Sequence, residues 1–333
     1  MRSQHSFTAK QLLFPAIILI AFGAGFGFRA LYAPLTPDSD TNPDCIANYP
    51  LLRNDLDCKS ADQDYSRVQK IQSDLTAYIE EQKAAGQIER ASVFFRDLNS
   101  RRFASVNADE IYVPGSLLKL PLAISYYKLS EVEPQVLTQE FQYSPTTKNL
   151  NDIENWQPIE KLVPGKSYSV DALIAHTIIY SDNETATQLA QSIDTEFFKK
   201  VCADLGVTLP TSGGSEQNFI SVKTYASLIR SLYLSSYLNI DNSQKLLDLM
   251  TSASFADGLK AGVPGDVQIA HKFGEREIID PQTNKETSAQ LHDCGVVYKS
   301  NHPYILCVMT EGKSHDNLSA VIARISKLVF ESE

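Results

Sequence analysis

The sequence predicts an α+β fold: one antiparallel sheet assembled from both ends of the chain, flanked by terminal helices, with a helical subdomain inserted between. Two observations carry this. Short strand-like runs occur near residues 91–106 and again at 267–310, while the stretch between them follows helical spacing. A helical run also precedes the first strands, and another follows the last.

The first helix is read over Asp64–Ala85 from Val68, Ile71, Leu75, Tyr78 and Ile79, and Gly86 ends it. Strands follow at Ala91–Asp97 and Arg102–Val106, joined by a turn over Leu98–Arg101. An apolar helix then begins behind Pro114-Gly115. From Gln142 to Asn239 the chain reads as helices and loops, with helices at Val170–Tyr180, Glu184–Leu205 and Ser221–Tyr237. A helix over Asn242–Met250 leads to strands at Val267–Lys272, Gln290–Tyr298 and Tyr304–Thr310, and Asp316–Phe330 closes the fold.

At 333 residues with 43% hydrophobic content, the chain is long enough for a full core. A net charge of -10 argues against a general nucleic-acid binder, which needs a basic surface. Leu12–Phe28 is a run of 17 residues without a charge, with Arg2 and Lys10 before it and Arg29 after it. That meets the roughly 17 to 25 residues a spanning helix needs. Residues 1–33 are therefore read as a cytoplasmic N-terminus and signal anchor, which puts the rest outside the cytoplasm. Residues 34–64, rich in Pro, Asp and Asn, read as a linker, and residues 65–333 as the folded domain. Cys45 and Cys58 bracket part of that linker and are expected to form a disulfide. Cys202, Cys294 and Cys307 sit in apolar surroundings and read as core residues. No Cys-x-x-Cys or His-x-x-x-His spacing suggests a zinc site.

Chemistry concentrates at three places. In Ser116-Leu117-Leu118-Lys119 the serine stands at a helix N-terminus with a lysine one turn on, on the same face. A serine hydroxyl needs a neighbour to take its proton, and a lysine serves once burial depresses its pKa. The same spacing at Ser125–Lys128 falls inside the helix with no turn before it. Ser181-Asp182-Asn183 lies at a helix-helix corner that can border a cleft, and taken alone it reads first as a polar turn and N-cap. Lys272-Phe273-Gly274 ends an alternating strand, with Gly274 permitting close backbone approach.

Taken in order, Ser-x-x-Lys, Ser-Asp-Asn and Lys-x-Gly resemble the penicillin-recognising serine hydrolases, in particular the class A β-lactamase family. The resemblance spans about residues 65–330. It implies Ser116 as nucleophile, Lys119 as base or proton relay, Ser181 as proton donor to the leaving nitrogen and Lys272 as the cation for the substrate carboxylate. It also implies that Asn183 holds the substrate's acyl amide, and that the backbone N-H groups of Ser116 and Glu275, beside Gly274, form the oxyanion hole. No cofactor is implied.

Two departures stand out. Phe273 replaces the family's Thr or Ser and removes a hydroxyl for the substrate carboxylate, leaving Arg276 as a substitute. The Glu-x-x-Leu-Asn element that orients the deacylating water is absent between Asn183 and Ser221. Glu216 is a weak candidate for that base, a solvated loop carboxylate being the simpler reading. The expected function is a membrane-anchored serine hydrolase that opens β-lactams. The alternative is a D-alanyl-D-alanine peptidase or transpeptidase acting on peptidoglycan stem peptides.

Overall fold

A computed structural model describes residues 58–152, 154–211, 217–279, 282 and 286–333. The expected signal anchor, Cys45 with the side chain of Cys58, and Glu216 lie outside what is described. Among the described residues no helix is long and apolar enough to cross a membrane. From Gln63 to Glu333 the chain forms one unit.

Helix α1 (Cys58–Ala84) starts six residues before the expected Asp64 and stops at Gly86, whose φ of 68° reverses the chain. Strands β1 (Arg90–Asp97) and β2 (Phe103–Val106) pair as expected. A 3-10 turn over Gly115–Leu118 runs into α2 (Lys119–Ser130). After the small hairpin β3 (Glu140–Gln142) and β4 (Ser167–Ser169) comes α3 (Val170–Ile179), capped by the Ser169 hydroxyl.

The helix expected over Glu184–Leu205 is instead two, α4 (Asn183–Ser192) and α5 (Thr195–Asp204). Ile193 turns extended, and the Asp194 carboxylate accepts from Phe197 N at 2.7 Å. Such a cap is worth about 1 kcal/mol and offsets the break. Helix α6 (Val222–Tyr233) begins at the Ser221 cap and ends four residues before the expected Tyr237, followed by Ser235 at φ 48°. Helix α7 (Ile240–Thr251) is capped by Asn239.

The last three strands are longer than expected: β5 (Ile269–Ile279), β6 (Glu286–Val297) and β7 (Tyr304–Gly312). Glu275, Arg276 and Glu277 hid the outer part of β5, because charged residues mask the alternation. Helix α8 (His315–Ser332) closes the chain.

The sheet order is β2-β1-β7-β6-β5, and every adjacent pair is antiparallel. Strand β1 lies beside β7, so the two chain ends build one sheet as predicted. Alternation divides the core. Val93, Phe95, Leu306 and Val308 face α1 and α8. Phe94, Val296, Ile305 and Met309 face the helical subdomain.

Cys294 and Cys307, read from sequence as core thiols, form a disulfide. They are direct partners in the β6-β7 register, on the face toward the helical subdomain. Cys202 remains a buried free thiol, as expected.

Candidate active site

Among the described residues the sheet ends at β5, whose outer edge has no strand neighbour. The Ser116 turn lies against that edge. Gly115 adopts φ 51°, and a Cβ there would stand 2.5 Å from the carbonyl oxygen of Glu275. A Cβ on Gly274 would stand 2.6 Å from the carbonyl oxygen of Pro114. The close approach that Gly274 permits is therefore made by the chain itself, and the two glycines bring the Ser116 turn onto the strand. The peptide units of Ser116 and Glu275, expected to supply the oxyanion hole, become neighbours in this way.

Lys119, the first residue of α2, is buried and points back over the turn. Its Nζ is 2.7 Å from Ser116 Oγ, 2.6 Å from Asn183 Oδ1 and 3.2 Å from Ser181 Oγ, and it also donates to the carbonyl oxygen of Ser181. Burial pulls its pKa down to about 8, against the opposing pull of Glu154, Asp182 and Glu275. From β5, Lys272 reaches the same hydroxyl, with Nζ 2.8 Å from Ser181 Oγ. Burial, and then the charge of Lys119, hold the Lys272 pKa well below that of an ordinary lysine.

The corner between α3 and α4 divides its labour by residue. Asp182 is the N-cap, accepting from Glu184 N at 2.8 Å and Thr185 N at 3.2 Å. Ser181, at φ 55°, and Asn183 turn toward Lys119. The cap is thus made by Asp182 alone, while Ser181 and Asn183 contact Lys119.

Phe273 offers no hydroxyl to this hydrogen-bond network, and its ring lies beside Lys272, whose Nζ is 4.4 Å from the ring centroid. Its ring belongs to the core on the α1/α8 side of the sheet, 4.1 Å from the Phe255 centroid and 6.1 Å from that of Trp156. Arg276 lines the cleft.

The sequence reading missed one residue at this site. Glu154 lines the cleft of about 440 Å3 that also holds Ser116, Lys119, Asn183, Glu275 and Arg276. Its Oε1 accepts from Asn183 Nδ2 at 2.8 Å. Burial and the neighbouring Glu275 raise its pKa, while Asn183 and Lys119 oppose the rise. Glu275 itself is engaged, accepting from Asn155 N at 3.2 Å, Asn155 Nδ2 at 2.9 Å and Trp156 N at 3.1 Å. Only the placement of the chain's single tryptophan inside a polar stretch hints at this in the sequence. Among the described residues no group of His, Cys, Asp and Glu is arranged to hold a metal ion.

A buried lysine bonded to a serine in a cleft, with a second serine and lysine behind it, defines a serine hydrolase. The chain belongs to the β-lactamase enzyme family, whose model matches residues 70–332. Solved structures give the same fold. One is a point mutant of PBP-A caught as its acyl-enzyme with penicillin G, at 18% identity and TM-score 0.66, covering 80% of this chain and 96% of that one. A second is a variant of the last common ancestor of Gram-negative class A β-lactamases, at 21% identity and TM-score 0.64, covering 78% and 97%. A third is a β-lactamase from Xanthomonas campestris pv. campestris, at 20% identity and TM-score 0.65, covering 78% and 98%.

Proposed function

We propose that this protein is acylated at Ser116 by β-lactams and hydrolyses their amide bond. The observation that carries the reading is the 2.7 Å contact between Lys119 Nζ and Ser116 Oγ, inside a cleft and joined to Ser181 and Lys272. A neutral Lys119 takes the Ser116 proton as Oγ attacks the lactam carbonyl carbon. Charge passes to the carbonyl oxygen, which the backbone N-H groups of Ser116 and Glu275 receive. The C-N bond then breaks, and Ser181, held between the two lysines, passes a proton to the departing nitrogen. Hydrolysis of the ester by water releases Ser116.

The test is intact mass of the full chain, in detergent, followed over time with a penicillin. An adduct that forms and decays with product release supports the lactamase. No adduct on the wild type, indistinguishable from Ser116→Ala, overturns the reading. One observation favours a second reading, a D-alanyl-D-alanine peptidase or transpeptidase: the missing Glu-x-x-Leu-Asn element, which predicts slow release from a β-lactam. A persistent adduct, with D-Ala released from a peptide ending in D-Ala-D-Ala, supports it.

We also place the catalytic domain outside the cytoplasm on a single N-terminal anchor. The uncharged run Leu12–Phe28 and the Cys294–Cys307 disulfide support this, since disulfides persist in oxidising compartments. Retention in membranes after alkaline extraction, with the domain degraded by external protease, is the expected result.

A further inference from the structure

The segment carrying Asn151, Glu154 and Trp156 crosses from the helical subdomain to the far side of the sheet, past the outer edge of β5. On the first side Asn151 Oδ1 accepts from Asn183 N at 2.7 Å and its Nδ2 donates to Asp182 at 3.1 Å. On the other, Trp156 sits edge-on to Phe255, Phe273 and His315, with its Nε1 2.8 Å from Asp257. Between these seats stands Glu154. The walls of the cleft include Glu154, Asn183 and Glu275 but neither Ser181 nor Lys272, which are 5% and 1% exposed.

The consequence follows from hydrogen-bond capacity. Asn183 Oδ1 is taken by Lys119, and its amide donates to Glu154 Oε1 and, at 3.2 Å, to the carbonyl of Leu150. An amide nitrogen has two N-H donors, and both are in use. An acyl donor whose amide carbonyl is to be held by Asn183 must displace one acceptor, and only Glu154 is a side chain free to swing. A displaced carboxylate in this partly buried place loses its hydrogen bond to Asn183 while the charge of Glu275 stays near it. A donor that brings its own ammonium supplies the missing partner.

Resting on acylation at Ser116, we propose that Glu154 is a specificity-determining residue: it holds the substrate's place on the Asn183 amide and favours acyl donors carrying an ammonium group next to their amide carbonyl. The test compares ampicillin, which has such an amine, with benzylpenicillin, which lacks it. Acylation of the full chain in detergent is followed by intact mass at pH 7, where an α-amine of pKa about 7.7 to 8 is mostly protonated.

The wild type is expected to prefer ampicillin by about tenfold, the effect of one charge-assisted hydrogen bond. Glu154→Gln keeps the shape and removes the charge, and brings the ratio to about one. Glu154→Ala frees the Asn183 donor and raises the benzylpenicillin rate, whereas loss of a merely structural residue lowers both rates. Adducts that form at equal rates with the two penicillins in the wild type, or a ratio unmoved by Glu154→Gln, overturn the inference alone. No Ser116 adduct in any variant overturns the reading and the inference with it.

Discussion

At Lys119 burial and three carboxylates pull in opposite directions, and burial wins, leaving the pKa at about 8. The protonated amine cannot accept the Ser116 proton. Acylation should therefore be lost as pH falls through about 8 and level off above it, measured as the rate of adduct formation against pH. Lys119→Arg keeps the charge at every accessible pH and offers no base. Its acylation should fall by at least about a hundredfold, the usual worth of a positioned general base, and lose that pH dependence. Gly115 is the other decisive single residue. Gly115→Ala places a Cβ 2.5 Å from the Glu275 carbonyl at a backbone φ of 51°. About 1 to 3 kcal/mol of stability should be lost, read in urea unfolding, together with much of the acylation rate.

Among the elements, those with a strong periodic pattern were legible and those defined by polar residues were not. Helices α1, α3 and α8 and the inner halves of the late strands follow their apolar spacing closely. The break between α4 and α5 depends on one carboxylate, Asp194, and the outer arm of β5 carries Glu275, Arg276 and Glu277, so neither leaves an apolar signature. The segment around Glu154 is the functional case. Its residues read as an ordinary loop, and their role comes from bonds to Asp182, Asn183 and Glu275 far along the chain. Trp156 is the only tryptophan, so its fluorescence reports this element directly. In the free protein acrylamide should quench it weakly, because the ring is seated among Phe255, Phe273 and His315. Asn151→Ala, which removes the bonds to Asp182 and Asn183, should raise the quenching constant, and unchanged quenching would show that Asn151 does not hold the segment.

For the molecule as a whole, the sheet joins the two ends of the chain, and the Cys294–Cys307 disulfide ties β6 to β7 inside it. Closing a loop of this length restricts the unfolded chain by about 3 kcal/mol in the entropic account. The double variant Cys294→Ala/Cys307→Ala should lose a comparable amount, seen as a lower urea midpoint, with the fold intact because the ladder itself remains.

The order of elements, the α+β class and the residues of Ser-x-x-Lys, Ser-Asp-Asn and Lys-x-Gly were all set by the sequence itself, because they follow from local periodicity and short spacings. Only the tertiary structure decided that the two cysteines pair, that Phe273 faces the α1/α8 core, and that Glu154 stands on Asn183. Each of these depends on partners distant in the chain, and no local pattern encodes a meeting that only the packed sheet and its inserted helices bring about.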